Sequence, residues 1–564
     1  MSLQLDPRAG DRARPQRTTG AEVLRRRLLT WAALLALLAW SAARAVPEGA
    51  VVNTGGLALL DDLVVTARDL SLDPEFLRIV LDATLTTVAF ALLGTLGALV
   101  LGVAGGLVLS DVAWDRQPPP LVRALRLLLR GALVAVRAVH ELVWALLFVS
   151  VLGLDPLVAV LALAVPFGAQ TAQVFGETFD TVPDGPLRAL RDAGARRVSA
   201  LAYGLLPQAL PLMLSYAFYR FECALRSVVV LGVAGVGGLG FELTVSLQSR
   251  NWEEVWTLVT ALLVLSALVE LWSSRVRRNL AIVTCADWVV GRSDPAEGRR
   301  SSRLSRPVRW SLWAVPPVAA AAWWWVGLSP ANLFSERTRA LTSRLLADMW
   351  PPAPPPGGWS TLVGASLDTI AMATLAMLIA VAITLVIGPW ASRPRAGRGG
   401  SVGAVRWLAW GLARAVLLVL RSIPPTVWAV LALLALFPGI IPGAVALGLY
   451  TGGILARLVA EAWETVDLRP RDALRDAGVA PSVSAVLGVG PPSARHLVTY
   501  TLYRFEICVR DTAIVGVVGA AGLGRVLADR LAAFDFAAVT GVLVASFVVS
   551  AAVELVGRRG RRAW

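Results

Sequence analysis

The chain has 564 residues, of which 56% are hydrophobic and 16% charged, with a mean hydropathy of +0.65. A water-facing globule has no exterior on which to place so much apolar surface, so composition excludes an ordinary soluble protein and points to the lipid bilayer. The formal charge of +14 does not make nucleic acid the partner, because the charges, all 53 basic ones arginine, fall in short segments between long apolar runs.

A helix crossing the hydrocarbon core needs about 20 mostly apolar residues. Taken in chain order, spans are predicted near 28–46, 81–110, 129–152, 155–175, 208–234 and 255–273, then near 311–328, 366–390, 405–436, 438–460, 496–520 and 537–556. The fold class is therefore all-α, a polytopic membrane protein with about six transmembrane helices in each half. The first span follows an arginine-rich leader and runs to Ala43-Arg44-Ala45, and is read as a retained helix rather than a cleaved signal. Cys223, Cys285 and Cys508 form no CxxC pair, which argues against a disulfide framework or a zinc site.

Arginine placement sets the orientation. Arg25 to Arg27 precede the first span; Arg116, Arg123, Arg126 and Arg130 follow the second; Arg188, Arg191, Arg196 and Arg197 follow the fourth; Arg275, Arg277 and Arg278 follow the sixth. The second half repeats this with Arg393, Arg395 and Arg398, then Arg469, Arg471 and Arg475, then the tail. Both termini are expected in the cytoplasm. The domain reading is a cytoplasmic segment 1–27, a first unit 28–275, a cytoplasmic linker 276–310, a second unit 311–556 and a tail 557–564. The run Pro351 to Pro356 is read as an extracytoplasmic spacer.

The two halves are copies. Trp144-Ala145 returns as Trp428-Ala429, Ala189-Leu190-Arg191-Asp192-Ala193-Gly194 as Ala473-Leu474-Arg475-Asp476-Ala477-Gly478, Tyr219-Arg220-Phe221-Glu222 as Tyr503-Arg504-Phe505-Glu506, and Gly238-Leu239-Gly240 as Gly522-Leu523-Gly524. The offset is 284 each time, so this is a duplicated unit. With an even number of spans per unit the repeats are parallel, which places a substrate pathway between them.

Between the fourth and fifth spans of each unit lies a polar segment: a turn at Pro183-Asp184-Gly185, a short helix, Gly194, and a second helix ending at Pro207. Its pattern resembles the cytoplasmic coupling loop of ABC importer permeases, whose short helix docks in a groove of the ATPase subunit. Small residues allow close approach and glycine allows the sharp turn. The coupling residues so implied are Ala189, Leu190, Asp192, Gly194 and Pro207, and Asp472, Ala473, Leu474, Asp476, Gly478 and Pro491. The acidic opener Asp472 has Arg188 as its counterpart in the first copy, a departure from the pattern. An amphipathic loop resting on the membrane surface is the plainer alternative; the repetition favours coupling.

A narrower resemblance rests on Glu141 to Leu146, Leu206-Pro207-Gln208, Ser215-Tyr216, Tyr219 to Glu222, Arg226-Ser227 and Gly235 to Gly240. In the second half it rests on Ile423-Pro424-Pro425, Tyr500, Tyr503 to Glu506, Arg510 and Gly519. Together these look like the phosphonate-transporter permease family, over about 80–275 and 366–556. The resemblance implies a tandem of type-I ABC importer permease units in a bacterial inner membrane, importing phosphonate or a related oxyanion such as phosphate or phosphite. It implies two ABC ATPase subunits inside, which bind the ATP, and a substrate-binding protein outside. No GxxxxGK[ST] motif occurs, so no cofactor is expected in this chain, and the chain is expected to be a transporter subunit rather than an enzyme.

Arg220, Glu222, Arg226, Arg504, Glu506 and Arg510 stand as candidate pathway or interhelix charges. The first of each set lies about 13 residues past the loop's proline, roughly 20 Å along the fifth span, where ionisable groups need partners or a wet cavity. Glu222 and Arg226, like Glu506 and Arg510, are spaced to pair on one helix face. Guanidinium matches phosphonate oxygens bidentately, although ions locking helices together is the more economical role. The glycine run 235–240 reads as a hinge or close-packed turn before a phosphate cradle, and His140 and His496 as packing or local hydrogen-bonding residues. The alternatives carried are an ABC permease for another small solute and an ion-driven secondary transporter, for which a duplicated coupling loop has no use.

Overall fold

The computed structural model describes residues 20–46, 51–114, 119–279, 306–394 and 401–563. The first unit comprises α1 (Gly20–Ala45), α2 (Thr54–Val65), α3 (Pro74–Leu109), α4 (Pro120–Ala138), α5 (Glu141–Leu152), α6 (Pro156–Thr181), α7 (Gly185–Asp192), α8 (Leu206–Leu231), α9 (Leu239–Gln248) and α10 (Trp252–Asn279). The second repeats the order as α11 (Arg306–Trp325), α12 (Glu336–Asp348), α13 (Gly358–Ala391), α14 (Ser401–Ser422), α15 (Pro425–Ala435), α16 (Ile440–Glu464), α17 (Arg469–Asp476), α18 (Pro481–Val517), α19 (Leu523–Ala532) and α20 (Phe536–Ala563). Starts are set by local chemistry: Asp73 and Asp155 cap α3 and α6 through their carboxylates, each followed by proline in the first turn, the position that tolerates a missing N–H. Helices α10 and α20 run past 275 and 556 to Asn279 and Ala563; most of the predicted linker lies outside the described residues.

Among the described residues eight helices are long and apolar enough to span a membrane, or nine with one bent pair counted as a span, rather than twelve. The eight are α3, α6, α8 with its leading turns, α10, α13, α14, α16 and α20. The predicted continuous span 129–152 is corrected: α4 and α5 meet at 94°, because Val139 is extended and His140 caps a new helix. Arg123, Arg126, Arg130 and Arg137 share one stripe of α4, which makes it amphipathic rather than uniformly apolar. The predicted span 405–436 likewise divides between α14 and α15 at Pro424-Pro425, since proline lacks the N–H that would continue the helix. Helix α18 falls short by charge, with Arg504, Glu506, Arg510 and Asp511 in its length.

The two units exchange their outer helices. Helix α1 packs on α13 and α11 on α3. Arg44 fixes the first contact, its Nε 2.7 Å from Asp368 Oδ1 and its Nη2 donating to the Gly364 carbonyl; Trp325 Nε1 donates to Thr86 Oγ1 in the second. Likewise α2 packs on α15 and α12 on α5. Val52 and Leu436 form an antiparallel bridge at the former contact. Inside each unit the tightest pair is α3 with α6 and α13 with α16, where small residues let backbones approach. A methyl on Gly102 would lie 2.4 Å from the Thr171 side chain, and one on Gly448 2.7 Å from Ile379. The run 351–356 is not a free spacer, since the Ala353 N–H donates to the Ala537 carbonyl at the start of α20.

Candidate coupling loops and translocation seam

Helices α7 and α17 are eight residues long and end alike. Gly194 and Gly478 both take φ of +80°, a conformation that costs any residue with a Cβ. The Ala195 N–H donates to Leu190 and that of Gly194 to Arg191; Val479 donates to Leu474 and Gly478 to Arg475. This is a Schellman closure in each copy. Ala189, Asp192 and Gly194 are exposed with Leu190 half-buried; Asp472, Ala473, Asp476 and Gly478 are exposed with Leu474 half-buried. In the second loop the exposed Asp467 carboxyl is held below its usual range by hydrogen bonds from the Arg469 side chain and backbone.

Pro207 and Pro491 do not end these loops, which corrects the sequence reading. Pro207 lies in the first turn of α8, after a π-helical turn at Leu201–Leu205, and Pro491 lies inside the unbroken α18. Both are exposed. What seats α7 and α17 is a pair of glycines the sequence did not flag. A Cβ on Gly204 would lie 2.8 Å from Leu187 Cα, and one on Gly488 2.6 Å from Arg471 Cα. They too are 284 apart.

Of the candidate charges on α8 and α18, Arg220, Glu222, Arg504 and Glu506 are buried and Arg226 and Arg510 half-buried. Arg226 Nη2 donates to Glu222 Oε1 at 2.7 Å, and Arg510 pairs with Glu506 in the same i,i+4 manner. Arg220 stacks its guanidinium 3.6 Å from the Phe167 ring centroid and donates to Gln170 Oε1. Its Nε has no hydrogen-bond partner. Among the described residues no carboxylate lies within ion-pair distance of it. Arg504, 7% exposed, lies 3.9 Å from Asp511 Oδ2 and leaves Nε and Nη2 without hydrogen-bond partners.

Where the units meet, α10 faces α14 and α4 faces α20. A reciprocal pair of ion bridges crosses these seams: Arg421 of the second unit to Glu270 of the first, and Arg137 of the first to Glu554 of the second. Arg137 and Arg421, and Glu270 and Glu554, are each 284 apart. That offset is the signal through which sequence reasoning could have found them. A small cavity beside each bridge is walled by Arg226, Glu222 and Ser266 on one side and by Arg510, His140 and Ser550 on the other.

The units differ at the centre. Where the second has Pro424-Pro425, the first has His140-Glu141, and where the first has Ser227, the second has Asp511. His140 Nδ1 accepts the Leu142 N–H, so its Nε2 faces Glu141 at 3.3 Å and Asp511 at 3.7 Å. Ser227 Oγ donates to Glu141 Oε1 at 2.5 Å. His496 stacks on Tyr500. The glycine run is a clamped turn. Gly235, Gly237 and Gly238 have positive φ, and the Leu239 N–H donates to Thr87 Oγ1 at 2.9 Å; Leu523 does the same to Thr369. Among the described residues no group of His, Cys, Asp and Glu is arranged to hold a metal ion.

A duplicated, helix-swapped membrane protein with ion-bridged seams and matched exposed helices between its spans fits, as a class, a permease of two units. The chain belongs to the family described as binding-protein-dependent transport system inner membrane component, which it matches over residues 121–281 and again over 399–562. It is 31% identical over 443 residues to the phosphate-import permease protein PhnE of Mycolicibacterium smegmatis, covering 78% of each chain. It is 34% identical to the phosphite transport system permease protein PtxC of Stutzerimonas stutzeri over 167 residues, 30% of this chain and 60% of that one. To the putative cryptic phosphonate transport system permease protein PhnE2 of Escherichia coli it is 31% identical over 119 residues, 21% of this chain and 98% of that one. No solved structure matches the chain. The protein is thus the membrane-spanning permease of an ABC importer, a transporter subunit rather than an enzyme, and the ion-driven carrier is set aside.

Proposed function

We propose that this permease forms the translocation pathway for phosphonate or a related oxyanion, phosphate or phosphite. Two separate ATPase subunits dock on α7 and α17 and hydrolyse the ATP, and a substrate-binding protein delivers cargo to the opposite face. The membrane is a bacterial inner membrane with both termini cytoplasmic, an orientation the arginine-rich segments support through the positive-inside rule. The observation that carries the cargo reading is Arg220: a buried guanidinium without a carboxylate partner, cushioned by Phe167 and Gln170, with an Nε–H free. A cation left in low dielectric gains most from a passing anion, and guanidinium meets tetrahedral oxyanions with two parallel N–H groups. The names of the relatives support the same cargo class.

The test is uptake of labelled methylphosphonate, phosphate and phosphite into proteoliposomes holding the permease, its ATPase and its binding protein. Arg220→Gln lowers uptake at least ten-fold while the ATPase still co-purifies. Arg220→Lys, which keeps charge but loses the bidentate fork, falls between. Uptake unchanged in Arg220→Gln overturns the oxyanion role of this residue.

A further inference from the structure

The two seams differ in how far their ion bridges extend. In the seam between α10 and α14 the bridge belongs to a ladder of four arginines and four glutamates. It runs Arg226–Glu222 at 2.7 Å, Glu222–Arg421 at 3.8 Å, Arg421–Glu270, Glu270–Arg457, Arg457–Glu461 at 2.8 Å, Glu461–Arg414 at 3.2 Å and Arg414–Glu464 at 2.9 Å. The ladder starts on α8 and α10 of the first unit and ends on α16 of the second, where Glu464 is the last residue before the turn into α17. Side-chain exposure rises along it, from 8–20% at the central rungs to 28% at Glu464.

In the other seam the same positions break the ladder. The counterpart of Arg457 is Gln173, which takes a hydrogen bond from Arg137 and donates one to Glu177 at 3.0 Å. The counterpart of Arg414 is Arg130, which turns away to Asp111 at 2.9 Å and to the Leu109 carbonyl. The counterpart of Glu464 is Asp180, which accepts from Ser110 Oγ and the N–H groups of Asp111 and Val112. Thus α6 is tied by Asp180 to the end of α3 and reaches the other unit through the Gln173–Arg137 hydrogen bond and the single Arg137–Glu554 bridge. Helix α16, whose Glu464 also accepts the Arg393 N–H after α13, is instead tied across the seam to α8 and α10 by a continuous chain of ion pairs.

We propose that the ladder is an ionic strut joining the second coupling helix to the first unit, so that the two ATPase-docking loops are mechanically unequal and Arg457 is the positioning residue that makes them so. A multiply bridged Arg–Glu chain resists shear because displacing one rung leaves buried charges unpaired on both sides. When α17 is drawn by an ATPase subunit, α16 carries α10 and α8 with it through the chain of ion pairs. When α7 is drawn, α6 moves chiefly with α3 and α4, its link to the second unit being one neutral hydrogen bond to Arg137 and the single Arg137–Glu554 bridge. The inference rests on the reading that α7 and α17 dock ATPase subunits.

The test is the coupling ratio, ATPase activity with cargo-loaded binding protein divided by activity without it, in proteoliposomes of the full assembly. Arg457→Gln, which gives the second seam the first's residue, lowers the ratio at least ten-fold; Gln173→Ala lowers it less than two-fold. The double variant Arg457→Gln, Gln173→Arg builds a rung between Glu554 and Glu177 and recovers at least half the ratio, a rescue that a purely structural role for Arg457 does not give. Arg457→Lys, which keeps the charge but loses the separate Nη1 and Nε donors that meet Glu270 and Glu461, is intermediate and carries the test should the glutamine variant fail to insert. Equal losses in Arg457→Gln and Gln173→Ala, or no recovery in the double variant, overturn the strut. An ATPase that does not co-purify with the wild-type chain overturns the coupling reading itself, which separates the two failures.

Discussion

Adding one methyl group at Gly488 should displace α17, the proposed second coupling helix, without unfolding the span beneath it. Gly488 does not have a positive φ, so alanine there carries no backbone strain, but its Cβ would lie 2.6 Å from both the N and Cα of Arg471. Ordinary contact begins near 3.4 Å, so α17 must retreat by about 0.8 Å, and because the obstacle is backbone no rotamer change relieves it. Overpacking of this kind costs roughly 1–3 kcal/mol. The outer face of α17 is exposed, so the strain is released by the helix moving outward. A loss of 1–2 kcal/mol of docking free energy is about a 5–30-fold fall in the associated population. The assay is ATPase stimulation by loaded binding protein, with Gly490→Ala as control, since a Cβ there meets nothing within 4 Å. Gly204→Ala, 2.8 Å from Leu187 Cα, should act in the same direction through α7. Equal behaviour of Gly488→Ala and Gly490→Ala would refute the reasoning.

Other consequences follow from the same geometry. Gly478→Ala has open space around its Cβ but φ of +80°, so it should cost about 1–2 kcal/mol through conformation alone, read as faster hydrogen exchange in 469–478. Thr369→Val leaves the Leu523 N–H without its acceptor, a loss of about 1–3 kcal/mol; thermal unfolding in detergent should fall for valine and recover for serine. Gly56→Ala would set a Cβ 1.7 Å from the Leu434 carbonyl oxygen. Proteolysis within 51–73 should then accelerate while α3 stays protected; unchanged protection of 51–73 would contradict the docking of α2 on α15.

The architecture was legible because duplication repeats each informative residue at one fixed offset. Apolar run length located α3, α6, α10, α13, α16 and α20, since lipid-facing helices announce themselves by composition. It failed where α4 turns into α5 at Val139-His140 and where α14 gives way to α15 at Pro424, because apolar content is continuous across a sharp bend. It also missed the exchange of α1 and α11, as which neighbour an apolar helix chooses is decided by packing. The intrahelical pairs at Glu222 and Glu506 were visible from their spacing. The seam bridges Arg137–Glu554 and Arg421–Glu270 were not, since their partners are more than 150 residues away. Gly204 and Gly488 escaped notice because glycine in a helix looks like a weak point until something is found packed against it.

The most direct test of the account is phosphonate uptake into proteoliposomes containing the permease, with ATP inside, the ATPase on the luminal face and loaded binding protein outside. The account predicts uptake that requires all three and is abolished by the paired Gly194→Glu, Gly478→Glu variant, inserted at wild-type levels. Uptake driven by an ion gradient in the absence of ATPase, or full ATP-driven uptake by that variant, would contradict it.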